Sequence, residues 1–285
     1  MPQIDRLARF SLTTADAKST AQFYEAAFGC RRIVTDRLAG PDFERLMDVT
    51  GGADRIMLGL GREIIELVQF DLAGEPYPRE SRSSDLVFQH FAIVVADMSR
   101  AFQRLSTAVG WMPISREGPQ RLPASSGGVT AFKFRDPEGH PVEFLAFPKA
   151  RSSNWPAVTP DETCLGIDHS AIGVSDSAIS IAFYESLGLS VTAYSFNHGI
   201  TQEYLDDVLG AQVDVTALAP CRPNPHLELL CYRTAARRRP APARKANDIA
   251  GTRLVFEPCR TSNATDGYIR ARSMHDPDGH TLLIA

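Results

Sequence analysis

An α+β fold made of four βαβββ modules is the architecture the sequence predicts, and three observations carry it. Three segments open alike, ARFSLTTADAKSTAQFYEAAFG from Ala8, QHFAIVVADMSRAFQRL from Gln89 and DHSAIGVSDSAISIAFYESLG from Asp168, with a weaker fourth, NDIAGTRLVFEP, from Asn247. A turn and strand, FRDPEGHPVEFLAF at 134–147, returns in part as MHDPDGHTLLIA at 274–285. Equivalent positions also keep a near-constant offset: Arg9 and His169 are 160 apart, Glu66 and Glu228 162, His90 and Gly251 161.

Each element follows from its residues. The opening runs are alternating β-branched and apolar residues, which read as strands, and then give way at Asp16, Asp97 and Asp176 to apolar residues at helical spacing. Aspartate at that junction is a helix N-cap, because its carboxylate accepts hydrogen bonds from the first free backbone amides. FYEAAFG and FYESLG close the first and third helices at Gly29 and Gly188, where a left-handed C-cap suits glycine. Further strand-like runs follow, and the modules finish on EIIELVQF, HPVEFLAF, HLELLCY and HTLLIA. The fourth module is truncated: Glu143 and Leu283 are only 140 apart, and RLVFEPCRTSNATDGYIRARSMHDPDGH offers no amphipathic helix. In the DPxGH turn proline fixes φ, aspartate accepts backbone hydrogen bonds and glycine permits positive φ, so Asp136, Pro137 and Gly139 make a tight hairpin ending at His140, with His280 its counterpart.

Composition narrows the function classes. With 44% hydrophobic and 22% charged residues the chain has a globular balance, and no run approaches the ~18 apolar residues of a membrane span. A formal net charge of -4 gives no electrostatic reason to expect nucleic acid or an anionic membrane. The basic cluster Arg237, Arg238, Arg239, Arg244 and Lys245 lies in a Pro/Ala-rich stretch that reads as a solvated linker. Cys30, Cys164, Cys221, Cys231 and Cys259 have scattered spacings and read as free thiols. The N-terminus has no signal-peptide pattern, so a cytoplasmic location is expected. Serine-hydrolase, phosphate-loop and dinucleotide-binding motifs are absent from the sequence.

The strand-Asp-helix-FYxxxLG opening and the DPxGHxxE closing strand, repeated over nearly the whole chain, resemble the vicinal oxygen chelate superfamily of glyoxalase I, bleomycin-resistance proteins and extradiol dioxygenases. That resemblance implies paired modules curling into two open, cupped sheets, with metal ligands on the first and last strand of each module. Taking consecutive modules as partners gives a first pair over residues 1–150, a linker over 151–164 and a second pair over 165–285 with a degenerate last module. The ligand positions are then Arg9, Glu66, His90 and Glu143 in the first pair, and His169, Glu228, approximately Gly251 and Leu283 in the second. Glu66, His90 and Glu143 are the expected ligands of a divalent metal (Zn, Ni, Mn or Fe), with Glu143 as proton carrier. A metal-free ion pair of Arg9 with the two glutamates remains the alternative. His169 and Glu228 are a second, weaker candidate site, which His198 or Gln202 would have to complete.

The resemblance implies a metal-dependent lyase, isomerase or epimerase acting on a small carbonyl compound. The alternative is a metal-free protein binding a drug-like or aromatic small molecule, and an extradiol dioxygenase is disfavoured because neither half supplies two histidines and a glutamate. A small-molecule ligand, no nucleic acid, no membrane and a homodimer complete the expected partners. The segments 75–85 and 195–207 are candidate gates over a cavity.

Overall fold

The computed structural model describes residues 3–148, 155, 162–233, 244–259 and 271–285. Module one runs β1 (Ile4–Thr13), α1 (Ala17–Phe28), β2 (Arg31–Leu38), α2 (Pro41–Met47), β3 (Ala53–Leu60) and β4 (Glu63–Phe70). Module two contains β5 (Gln89–Val95), α3 (Met98–Thr107), the short β6 (Met112–Pro113) and β7 (Gln120–Arg121), then β8 (Thr130–Arg135) and β9 (Pro141–Ala146). Module three repeats the order of module one as β10 (Cys164–Gly173), α4 (Ser177–Ser186), β11 (Ser190–His198), α5 (Ile200–Asp206), β12 (Gln212–Ala219) and β13 (His226–Tyr232). Module four shows β14 (Arg253–Pro258), β15 (Arg272–His275) and β16 (Thr281–Ile284), with no helix among the described residues. The stretch 260–270, most of the linker 151–164 and Arg237, Arg238 and Arg239 lie outside the described residues.

The predicted caps are present. Asp16 accepts from the amides of Lys18 and Ser19, Asp97 from Arg100, and Asp176 from Ala178 and Ile179. Gly29 closes α1 at φ 77°, a left-handed conformation that a side chain would strain.

The sheets overturn the expected pairing of consecutive modules. One sheet has seven strands in the order β15-β16-β14-β1-β4-β3-β2, and so joins module one to module four. The other runs β11-β12-β13-β10-β5-β9-β8-β6, with β7 beside β8, and joins module two to module three. The central seams are antiparallel first strands, β1 with β14 and β5 with β10. A repeat of about 160 residues identifies which modules are equivalent but carries no information about which two share hydrogen bonds, so the sequence pattern fits either pairing. The truncated module is no exposed appendage, since Leu254, Val255, Phe256, Leu282 and Leu283 are fully buried. Arg244 is likewise no part of a solvated linker, because it donates to the carbonyls of Ala250 and Gly279.

Consecutive modules meet instead through the DPxGH turns, which explains why the turn is spelled twice. Nε2 of His140 lies 2.9 Å from the carbonyl of Thr13, at the end of β1, and Tyr24 of α1 donates to Asp136 at 3.0 Å. Glu138 accepts from the amides of Ala15 and Asp16 and from the hydroxyls of Thr14 and Thr20. In the second copy Nε2 of His280 reaches the carbonyl of Gly173, Tyr184 donates to Asp276, and the amide of Ser175 donates to Asp278. Gly139 sits at φ 101° with Tyr77 where a Cβ would stand, so the turn requires glycine twice over. Each turn therefore ties a module of one sheet to the strand-helix junction of a module in the other.

The first clamp is charged. Burial alone would lower the His140 pKa, but Asp136, 2.8 Å from its Nδ1, outweighs that and holds the imidazolium above its ordinary range, while His140 holds Asp136 below the usual carboxylate range. The stabilisation from a raised histidine is full below the unfolded value near ~6.5 and fades as pH rises through the folded one, while the aspartate part is full above ~4 and fades as pH falls. His140→Asn should therefore cost about 1–3 kcal/mol at pH 6 and less at pH 9, as expected for a buried charge-assisted hydrogen bond. Denaturant melts across that range test this, and an equal cost at both pH values would contradict it.

Candidate active site

The two cups have different contents. In the seven-stranded sheet, α2 drops Phe43, Leu46 and Met47 onto Val68, Phe70, Val255 and Leu283, so this cup is filled with side chains. Glu66 is buried there and lies 3.2 Å from Arg55 and 3.8 Å from Arg9. The register also corrects the fourth position. Arg9 faces Val255 across β1 and β14 as His169 faces Ala92 across β10 and β5, and Ser11 faces Arg253 as Ala171 faces His90. Arg253, rather than Gly251, is thus the counterpart of His90. Two guanidinium groups stand where the other sheet has imidazoles, and Arg9 meets Glu66 but not Glu143, which lies in the other sheet.

The nine-stranded sheet gathers the remaining candidates from both predicted sites into one. His90 on β5, Glu143 on β9, His169 on β10 and Glu228 on β13 line a single cavity of about 840 Å³. Glu143 Oε2 is 3.2 Å from His90 Nε2 and 3.6 Å from His169 Nε2, and Glu228 Oε2 approaches the same His169 nitrogen at 3.5 Å. One ligand atom each from His90, Glu143 and His169 fits within 4.8 Å of the others. Asp168 fixes the far side of His169, its carboxylate 2.8 Å from Nδ1. That contact orients Nε2 into the cavity, where this buried nitrogen makes no hydrogen bond of good geometry. Two imidazoles and two carboxylates converging on a buried, poorly satisfied nitrogen form a donor set that suits a divalent transition metal.

Electrostatics keep both carboxylates ionised. Burial would raise the pKa of Glu143, but Lys133 and the two histidines outweigh it and hold the group well below the usual range. For Glu228 burial is opposed by His169 and His226, which bring the carboxyl down to about 2. Burial also opposes the charged form of His169, yet Glu228, Asp168 and Glu143 hold it well above the ordinary imidazole range. Metal coordination requires neutral imidazole, so an ion entering here would displace a proton.

Three contributors were not picked out from the sequence. Lys133 is buried on the cavity wall, directly across the hairpin from Glu143, with Nζ 2.7 Å from Asp206. Asp206 also accepts from Gln202 and Tyr232. His226 stands 3.5 Å from Glu228. Counting outward from the DPxGH turn, whose tightness fixes the register, finds Lys133 opposite Glu143, and period two along HLELL puts His226 on the face of Glu228. Of the two candidate gates, 195–207 supplies Ser195, Asn197, Gln202 and Leu205 to the lining, whereas 75–85 supplies nothing to it and packs Tyr77 against His140. His198 is also outside the lining.

A sequence profile of the Glyoxalase/Bleomycin resistance protein/Dioxygenase superfamily matches residues 4–144. Residues 4–144 belong to this superfamily. A likeness of fold extends over the whole chain. Glyoxalase I from Zea mays superposes with a TM-score of 0.58 at 17% identity, over 98% of this chain and 91% of that one. A Bacillus subtilis protein described as a candidate dioxygenase gives 0.58 at 13% identity, over 100% and 86%. At these identities the likeness is one of fold. The sequence matches no curated protein. Among the described residues no helix is long and apolar enough to cross a membrane.

Proposed function

We propose that the cavity of the nine-stranded sheet is a divalent-metal site at which a proton is moved next to the carbonyl of a small molecule, a lyase or isomerase activity of glyoxalase type. The observation that supports this is the convergence of His90, Glu143, His169 and Glu228 in one cavity roomy enough for a substrate. These four residues would hold the ion, and Glu66 drops out because it lies in the other sheet. When bound, the ion would polarise substrate oxygens.

The remaining chemistry belongs to the chain. Glu143, the carboxylate shared between the two histidines and kept ionised by Lys133, is the proton carrier: it takes the proton from the carbon beside the carbonyl and returns it to the neighbouring position. Lys133, anchored by Asp206, supplies a cationic donor on the wall for a substrate oxygen. Asp168 holds the His169 ring, and Val213, Val215, Leu145 and Leu230 keep the wall apolar. Glu143→Gln should lower turnover by at least about 100-fold, the lower end of what a positioned acid-base group contributes.

The same geometry revives a second reading. Two histidines and one carboxylate, the set that consecutive pairing denied to either half, are now present in one cavity and suit non-haem Fe(II) and oxygen chemistry. Elemental analysis of protein purified without an affinity tag, joined to an oxygen-uptake assay, separates the two. Zinc, nickel or manganese near one per chain supports the proton-transfer reading, and iron with oxygen uptake supports the dioxygenase. Protein that takes up no metal even when reconstituted would leave a metal-free binding protein, with a charged His169 bridging Glu143 and Glu228.

A further inference from the structure

The five cysteines are not equivalent. Cys30 and Cys164 are buried, which pushes the Cys164 thiol up to about 12 and Cys30 higher still, and Cys231 donates to the carbonyl of Ser175 at 3.7 Å. Cys221 and Cys259 differ on two counts. Cys221 is exposed and Cys259 partly so, and their sulfurs are 3.8 Å apart although 38 positions separate them in sequence.

The backbone explains why they meet. Cys259, just past β14, donates its amide to the carbonyl of Gln3 at 2.7 Å. On the other side of the same entering strand, Cys221 donates to Ile4 and Arg222 to Asp5, the latter at 2.7 Å and reinforced by an Arg222–Asp5 ion pair. Three consecutive residues at the start of the chain therefore hold both cysteine backbones in place. Cys259 directly follows β14 of the seven-stranded sheet, whereas Cys221 lies in the loop between β12 and β13, whose Pro223 and Asn224 line the cavity.

We propose that Cys221 and Cys259 form a modification site, a dithiol that closes to an intramolecular disulfide by exchange with a low-molecular-weight disulfide and staples the cavity-rim loop to the end of β14. The more exposed Cys221, as thiolate, attacks one sulfur of the external disulfide, forming a mixed disulfide and releasing one small thiol that takes up the proton. Cys259, as thiolate, then attacks the Cys221 sulfur and expels the second small thiol. Two protein thiols are oxidised and one external disulfide is reduced to two thiols, so atoms and electrons balance. The sulfurs need to close from 3.8 Å to the ~2.05 Å of a disulfide, a shift within reach of a side-chain rotation at a solvent-open site. The bond would constrain a loop of 38 positions in the unfolded chain and join the two sheets at the rim of the cavity.

The test uses the full chain, reduced, freed of reductant and exposed to glutathione disulfide. The free-thiol count should fall from five to three, the intact mass should drop by two hydrogens, and a peptide map should show Cys221 joined to Cys259. The Tm should rise by about 5 °C or more in the wild type. Cys259→Ser should instead stop at a lasting glutathione adduct on Cys221, with no such rise. A count that stays at five, a persistent glutathione adduct on the wild type, or disulfide-linked dimers in place of the internal bond would overturn the assignment.

Discussion

His169→Ala, Glu143→Gln and Glu228→Gln should each weaken uptake of a divalent metal by at least about 100-fold, whereas Glu66→Gln should leave it unchanged. The argument is one of ligand count in a shared cavity. His90, Glu143, His169 and Glu228 come from two modules on either side of the β5–β10 seam, so each removal takes one donor from the same set of four. Loss of a mere outer-shell partner already costs about 10–100-fold in metal affinity, and loss of a ligand costs more. Glu66 answers to Arg55 and Arg9 in a different sheet, and its amide would cost folding stability but no metal. Isothermal titration of metal-free protein with zinc reads all four variants. A Glu66→Gln variant that loses metal, or a Glu228→Gln variant that keeps it, would return the site to the pairing of consecutive modules.

That pairing was the one large error available to a reader of the sequence, and its cause is physical. Period-two strands, aspartate caps and glycine stops are local signals, and α1, α3 and α4 start at Asp16, Asp97 and Asp176 as those signals require. Which first strands share hydrogen bonds is a long-range choice that four similar modules leave degenerate. Consecutive pairing divides the four side chains that share this cavity into two deficient halves, with His90 and Glu143 beside Glu66 and with His169 and Glu228 left as a pair. The short helices α2 and α5 are illegible for a different reason: each has seven residues and follows a glycine with no side-chain cap, so a period such as that of Phe43, Leu46 and Met47 is too short to stand out. Yet α2 decides the fate of its cup, because Phe43 and Met47 occupy the space that stays open in the other sheet. The DPxGH turn was legible as a turn. Its docking was not, since the partners of His140 are the backbone carbonyls of Thr13 and Ile249, and a carbonyl has no residue-specific signature.

The filled cup should also be where the chain is most easily destabilised. Arg253 is wholly buried at the position equivalent to His90, and its guanidinium donates to Ser11 Oγ, Thr13 Oγ1 and the carbonyls of Ala246 and Gly251, with its Cζ 5.8 Å from the centre of the Phe70 ring. These contacts tie β1, β14 and the segment before β14 into one unit. Arg253→Met keeps much of the volume but leaves those buried acceptors without their shared donor, and a buried group stripped of a charged partner costs about 3–5 kcal/mol. Spread over a chain of this size, that corresponds to a fall in Tm of roughly 10 °C. Arg253→Lys should recover little of it, because one ammonium cannot span a hydroxyl on one strand and carbonyls on another as the planar fork does. Zinc affinity of the folded variants should match the wild type, since Arg253 stands on β14 of the seven-stranded sheet and does not line the cavity of the other. Equal Tm values for Arg253→Met and the wild type would mean that the guanidinium is a tolerated remnant rather than the tie that closes the seven-stranded sheet.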